Sequence, residues 1–96
     1  MARNQIPGSV RIHTGDGNEW RYDVIKKAAK FYGCNRSDAV AFACEDIDTL
    51  VRAACRVLER DDLTLEQRQE IAETLSTRAV TFDVVTSISV KTKSEM

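Results

Sequence analysis

The sequence predicts a mainly helical α+β fold, with a β-α-α N-terminal half followed by an α-α-β C-terminal extension, in a dimer. Three observations lead to this prediction. Residues 9–14 alternate between polar and apolar, which is the period of a half-buried strand. Apolar residues then recur at helical spacing on both sides of a tight corner at residues 33–38. The strand-like alternation returns at residues 79–90.

The first predicted strand, residues 9–14, has no second strand to pair with in the N-terminal half. Val10 and Ile12 form its apolar face, which we expect to lie against the helices. The side chains on its polar face are Ser9, Arg11 and His13. A lone strand leaves its backbone groups unpaired, so we expect it to pair with a second copy of the chain.

A tight helix-to-helix corner follows the first helix, which is predicted from about Glu19 to Tyr32. Gly33 stands where a helix ends in the left-handed conformation, which glycine adopts without a Cβ clash. Asn35 is placed to cap the second helix, and Asp38, three positions later, is placed as in a capping box. The sequence therefore predicts that one helix stops and the next begins within about four residues.

The later helices are predicted from spacing and caps. The second helix has apolar residues at steps of four and three, namely Val40, Cys44, Ile47, Val51, Ala54 and Leu58. The acidic run at residues 45–48 is suited to capping a fresh helix. The stripe also fits one continuous helix, but we favour a helix to about Glu45, a break or kink, and another helix over residues 48–60. Thr64 and Gln67 predict a capping box that opens a further helix. One long or bent strand is expected at 79–90.

The residues of this corner carry a resemblance to a known family. Gly33-Cys34-Asn35-Arg36-Ser37-Asp38-Ala39-Val40 is similar to the Gly-x-Ser-Arg-Ser-Glu-Ala-Ile of the ribbon-helix-helix superfamily, the class of Arc and the methionine repressor. The predicted strand-helix-turn-helix order matches over residues 8–46. The resemblance implies a homodimer that reads the major groove of double-stranded DNA with a two-stranded ribbon. It also implies DNA phosphate contacts at the start of the second helix, from Asn35, Arg36 and Ser37, where the free amide groups favour an anion.

Base recognition is expected from the polar face of the strand, by Ser9, Arg11 and His13. Arg11 is the best base reader, because its planar fork can engage O6 and N7 of guanine together. We therefore predict a sequence-specific DNA-binding protein, a transcription regulator of the repressor type. The alternative is that Arg11 and His13 only decorate an edge strand. The protein would then be a dimeric protein-interaction module without DNA binding, such as an antitoxin-like, partition, or virus or plasmid accessory protein.

The charge distribution supports a local basic footprint. Residues 1–37 contain seven basic and three acidic side chains, whereas residues 38–96 contain seven basic and twelve acidic ones. A solvated helix face is the alternative interpretation of Lys26, Lys27 and Lys30. The acidic remainder also resembles short proteins of salt-loving archaea, which implies an archaeal source.

Three regions are expected within one compact domain. Residues 1–7 contain the only proline and predict a flexible arm. Residues 8–46 form the DNA-binding unit. Residues 47–96 are expected to serve oligomerisation, effector contacts or binding of a protein partner, so that a homodimer or a higher oligomer results.

Other functions are not expected. One histidine, with no nucleophile elbow and no glycine-rich phosphate loop, predicts no enzymatic activity, no metal site and no cofactor. Cys34, Cys44 and Cys55 fit no zinc spacing and predict free thiols, with Cys44 and Cys55 in the core. No apolar run approaches the roughly 18 residues of a membrane span. These features predict a cytoplasmic protein without membrane contact.

Overall fold

The protein is a small, mainly helical α+β structure, seen in a computed structural model that describes residues 5–93. Its elements in chain order are α1 (Glu19–Tyr32), α2 (Arg36–Leu58), α3 (Leu65–Leu75), β1 (Val80–Asp83) and β2 (Ser89–Thr92). The chain forms two compact units, unit 1 (Met1–Cys44) and unit 2 (Glu45–Met96). Part of the predicted flexible arm, residues 1–4, lies outside the described residues.

The predicted N-terminal strand is not formed, so the β-α-α prediction and its two-stranded ribbon are wrong. Residues 9–14 are irregular, and within residues 5–93 the sheet consists of β1 and β2 paired with each other. The alternation of polar and apolar residues indicates which side chains could share one face. A strand also needs a neighbouring strand whose backbone forms hydrogen bonds with it. No other segment of the described chain provides that neighbour. We call residues 8–14 the N-terminal segment.

The first helix and the corner after it are confirmed. α1 spans Glu19–Tyr32 and ends at Gly33, whose φ of 68° and ψ of 35° lie in the left-handed region. The Gly33 N–H donates to the carbonyl oxygen of Ala29 at 2.9 Å, which satisfies one of the last carbonyls of the helix. Because a side chain is strained at this φ, the corner depends on glycine here.

The predicted break in the second helix is wrong, because α2 is one continuous helix of 23 residues. Asp48 does not cap a new helix. Its Oδ2 lies 2.6 Å from Nη2 of Arg52, one turn further along. Such an i,i+4 pair stabilises a continuous helix. Residues 45–48 also contain no glycine or proline to interrupt it.

Unit 2 has a hydrophobic core of its own. Its buried residues are Leu58, Ala72, Phe82 and Val84, with Val51, Ala54, Cys55, Ile71, Val80, Ile88 and Val90 packed against them. The capping box of α3 is confirmed, since the Thr64 side chain accepts from the Gln67 N–H at 3.1 Å. The core therefore joins the second half of α2 to α3 and the hairpin.

The last predicted strand is instead an antiparallel hairpin. β1 and β2 pair in the register Phe82↔Val90, and the chain reverses between them. The prediction of a single C-terminal strand is therefore wrong. Ser76 ties α3 to the hairpin: its Oγ donates to the Ala72 carbonyl at 2.7 Å and accepts from the Phe82 N–H at 3.1 Å.

A charged corner connects α2 to α3. The Arg60 Nε donates to Oδ1 of Asp62 at 2.9 Å, and this hydrogen bond holds the pKa of Asp62 below its usual value. Arg68 Nη2 donates to the Arg60 carbonyl at 2.6 Å. Across residues 5–93, none of the helices has the length and apolarity that a membrane crossing requires.

The distribution of buried residues gives a matched pair of tests. Phe82 is 8% exposed in the unit 2 core, whereas Phe31 on α1 is 82% exposed. Phe82→Ala is expected to lower the free energy of unfolding by about 3–5 kcal/mol, because it opens a cavity. Phe31→Ala is expected to change it by less than about 0.5 kcal/mol. Urea unfolding followed by circular dichroism measures both, and equal costs would contradict the assigned core.

Candidate nucleic-acid interface

The predicted DNA-binding residues lie in unit 1, around an open groove of about 690 Å³. The groove is bounded by the N-terminal segment, α1 and the start of α2. Its lining residues are Gly8, Ser9, Val10, Ile12, Thr14, Tyr22, Ile25, Arg36, Ser37, Val40 and Ala41. The groove thus brings together Ser9, Arg36 and Ser37, while Arg11, His13 and Asn35 are not among its lining residues.

A tyrosine flanked by two cations lies at the groove. The Arg36 Nη1 donates to the Tyr22 hydroxyl at 3.2 Å, and its guanidinium carbon lies 5.5 Å from the centre of the Tyr22 ring. Lys26, one turn along α1 from Tyr22, has its Nζ 5.6 Å from the same ring centre. We call these three residues the Tyr22 cluster. The Tyr22 ring attracts both cations and so restricts their positions. Both side chains are exposed, so their charges remain available to an anion.

Sequence reasoning missed this cluster. The spacing of Tyr22 and Lys26, four apart on α1, is visible in the sequence. Arg36, in contrast, lies 14 positions from Tyr22, across the helix-to-helix corner. Only the path of the chain through Gly33 brings α2 close enough for that contact.

The start of α2 is well defined, and the predicted cap is confirmed. Asn35 Oδ1 accepts from the Asp38 N–H at 2.8 Å, and Asn35 Nδ2 donates to Asp38 Oδ2 at 3.1 Å. The Asn35 side chain is therefore committed to the cap. The N–H groups of Arg36 and Ser37 lie in the first turn, where a helix offers them no acceptor. The Asp38 carboxylate in the same turn offsets part of the positive potential there.

Arg11 and His13 are exposed on the N-terminal segment. Among residues 5–93, Arg11 has no ion-pair partner. The His13 carbonyl accepts from Arg21 Nη1 at 3.1 Å, which holds the segment to α1. His13 Nε2 also lies 4.0 Å from Asp16 Oδ2, at an exposed position.

The apolar face expected for the N-terminal segment is largely uncovered. Val10 is 84% exposed and Ile12 is 46% exposed, although both line the groove. The expectation that they pack closely against the helices is therefore wrong. Their exposure follows from the absence of a strand ladder, which would hold alternate side chains on one face.

Two aromatic side chains of α1 are also exposed, as is a cysteine that was expected in the core. Phe31 contacts Tyr32 edge-on at 5.1 Å between ring centres, yet Phe31 is 82% exposed and Trp20 is 47% exposed. Cys44 is exposed too, so only Cys55 joins a core. The apolar side chains of α1 therefore remain largely uncovered, and none of its residues is buried.

The two units differ in their balance of basic and acidic side chains. Unit 1 contains seven basic and four acidic side chains, and unit 2 contains seven basic and eleven acidic ones. Within residues 5–93, no group of three His, Cys, Asp or Glu side chains is arranged to hold a metal ion. The chemistry that unit 1 offers is positive charge beside apolar and aromatic surface.

The cap of α2 gives a prediction that separates structural from ligand-binding roles. Asn35→Ala is expected to lower the free energy of unfolding by about 1 kcal/mol, because the Asp38 N–H loses its acceptor. Ser37→Ala, two positions later in the same first turn, is expected to change it by less than about 0.5 kcal/mol. Thermal or urea unfolding measures both, and equal costs would show that Asn35 is not the cap in solution.

Comparison with known proteins identifies a family for this part of the chain. No curated protein and no solved structure matches the chain. Residues 10–64 match a family described as a domain of unknown function, DUF7692. That match runs from the N-terminal segment through α1 and α2 to the cap of α3, which is more than half of the chain. The chain therefore belongs to the DUF7692 family.

Proposed function

We propose that the protein is a homodimer that binds double-stranded DNA in a sequence-specific manner and regulates transcription as a repressor in the cytoplasm. The observation that carries the proposal is the Tyr22 cluster. It holds two exposed cations: Arg36, which lines the groove where α2 begins, and Lys26, one turn along α1 from Tyr22. Cations beside free helix amides are suited to the phosphates of a nucleic acid.

Phosphate binding is assigned to the start of α2. Arg36 offers its guanidinium, and the N–H groups of Arg36 and Ser37 add two donors in the first turn. The hydrogen bond from Arg36 to Tyr22 fixes the direction of the guanidinium before any ligand arrives. A pre-orientated cation loses less conformational entropy on binding than a free one. These contacts would set the position of the protein on DNA without reading its sequence.

Base recognition is assigned to the N-terminal segment, which carries the exposed side chains Ser9, Arg11 and His13. Its neighbours Val10 and Ile12 line the groove, so Arg11 extends from a segment next to the phosphate site. A bidentate contact of Arg11 with guanine supplies the specificity. This role requires no regular strand, because the base-contacting side chains project from an irregular and exposed segment.

Dimer formation is supported by the poor core of unit 1. Among its described residues only Ala39 is buried, and α1 has no buried residue. Large apolar side chains exposed this widely mark a surface that another molecule covers. The same observation favours a second candidate function, a dimeric protein-interaction module that does not bind DNA.

The phosphate role of Arg36 is tested by titrating DNA at several salt concentrations. Arg36→Ala is expected to weaken binding about equally on all duplexes and to reduce the salt slope by about one. The matched control is Arg56→Ala, an exposed arginine on the unit 2 part of α2, which should leave binding unchanged. A changed sequence preference in Arg36→Ala would contradict its assignment to the DNA backbone.

The base-reading role of Arg11 is tested on the best available site and on a scrambled duplex. Arg11→Ala is expected to lose about 1–3 kcal/mol on the preferred site and to relax the preference at one base. Arg11→Lys should restore binding only in part, because a point charge cannot reproduce the fork. Thermal melts should not change, since Arg11 is exposed. Unchanged affinity and preference in Arg11→Ala would favour the protein-interaction module.

A further inference from the structure

We propose that the groove of unit 1 binds a small amphipathic anion, with its carboxylate at Arg36 and its aliphatic tail along the apolar lining. A medium-chain fatty acid is the simplest molecule of this class. The anion would occupy the arginine that is assigned to a DNA phosphate, so it would act as an effector that releases DNA. This effector role rests on the proposed function, whereas binding of the anion itself does not.

The size and lining of the groove suit a small molecule. Its volume of about 690 Å³ lies within the range of about 300–1,000 Å³ that is usual for ligand sites. Such sites are largely apolar and contain a few polar groups that orientate the ligand. The groove has both kinds of residue, because hydroxyl groups and one arginine accompany its aliphatic side chains, which are Val10, Ile12, Ile25, Val40 and Ala41.

The charge of the lining identifies the head group of the ligand. Among the lining residues that the structure describes, Arg36 carries the only charge and none is acidic. Lys26, although close to the Tyr22 ring, is not one of these residues. A cation in the groove would face a like charge at Arg36, whereas a single carboxylate matches one guanidinium fork. The lining therefore favours a ligand with one negative charge.

Hydrogen-bond donors are available at the charged part of the groove. The Tyr22 hydroxyl oxygen accepts from Arg36 Nη1 at 3.2 Å, and this bond does not use the hydroxyl hydrogen of Tyr22. The guanidinium has further N–H groups beyond the one that it donates to Tyr22. The Ser37 hydroxyl lines the same groove. A carboxylate at Arg36 can therefore accept several hydrogen bonds, and the contact with Tyr22 lowers the entropy cost of orientating Arg36.

An aliphatic tail would cover apolar surface that the chain leaves open. Val10 is 84% exposed and Ile12 is 46% exposed, although both line the groove. Ile25 of α1 and Val40 of α2 line it as well and are half-buried. A tail lying among these side chains removes apolar surface from water, which stabilises the complex in proportion to the area covered.

Calorimetric titration of the full chain without DNA tests the site, with octanoate as the probe at concentrations below those at which it forms micelles. The matched controls are 1-octanol, which has the tail without the charge, and acetate, which has the charge without the tail. Octanoate is expected to bind at least about tenfold more tightly than either control. Equal binding of octanol or of acetate would overturn the proposal, and so would a failure of octanoate to bind.

Two pairs of variants locate the octanoate on the chain. Arg36→Ala should weaken its binding at least about tenfold, because the charged hydrogen bonds are lost, whereas the exposed Arg56→Ala in unit 2 should not. Ala41→Phe should weaken it about tenfold, because the ring takes the space of the tail. Its control is Ala53→Phe, at an exposed alanine of α2 in unit 2. Circular dichroism checks that all four variants fold, and unchanged binding in either groove variant would place octanoate elsewhere and overturn the site.

The effector role is tested by titrating a duplex in the presence of octanoate. Because the carboxylate and a DNA phosphate compete for Arg36, saturating octanoate should raise the DNA dissociation constant at least about tenfold. The same concentration of octanol should leave it unchanged. If octanoate binds through Arg36 and the DNA affinity does not change, the effector role is overturned.

A failure of the site is distinguishable from a failure of the proposed function. If octanoate binds through Arg36 but no duplex is bound, the anion site stands and DNA binding falls. If a duplex is bound through Arg36 but octanoate is not bound, DNA binding stands and the anion site falls.

Discussion

The structure depends on one constraint: a helix of 23 residues carries more apolar side chain than this short chain can cover. α2 is about 35 Å long, and only Ala39 and Leu58 along it are completely buried. The Asn35 cap stabilises its first turn, and the Asp48–Arg52 pair stabilises its middle turns. Since a continuous helix presents every face along its whole length, apolar residues remain exposed on it in both units.

The two units use α2 differently. In unit 2 one face of α2 supplies Leu58 to a core shared with α3 and the hairpin, so this unit has the buried apolar surface that stabilises a fold. In unit 1 the start of α2 meets α1 through the Gly33 corner, the Arg36–Tyr22 contact and the ring contact of Tyr32 with Phe42, and little is buried. Unit 1 combines excess positive charge with exposed apolar surface, which is the composition of a binding surface rather than of a self-sufficient core.

The helix ends and caps were the features that the sequence predicted best. Gly33, Asn35 and the Thr64–Gln67 capping box were predicted correctly because the bonds that each makes lie within a few residues. The strand at 9–14 was wrong because a ladder needs a distant neighbour that the pattern of one segment cannot supply. The predicted break near Asp48 was wrong. An acidic residue can cap a new helix or form an ion pair within an existing helix, and Asp48 is paired with Arg52 within α2. At the candidate site, Arg36 lines the groove, but its contact with Tyr22 depends on the corner and was not visible in the spacing.

Hydrogen exchange of the full chain as a function of its concentration tests most directly whether association covers the exposed apolar surface of unit 1. Amides of α1 and the N-terminal segment should exchange more slowly as the concentration rises, because a second copy must leave before this surface can open. Exchange in α1 that is the same at every concentration would contradict the account. So would slowing confined to α3 and the hairpin, since it would place the contact in unit 2.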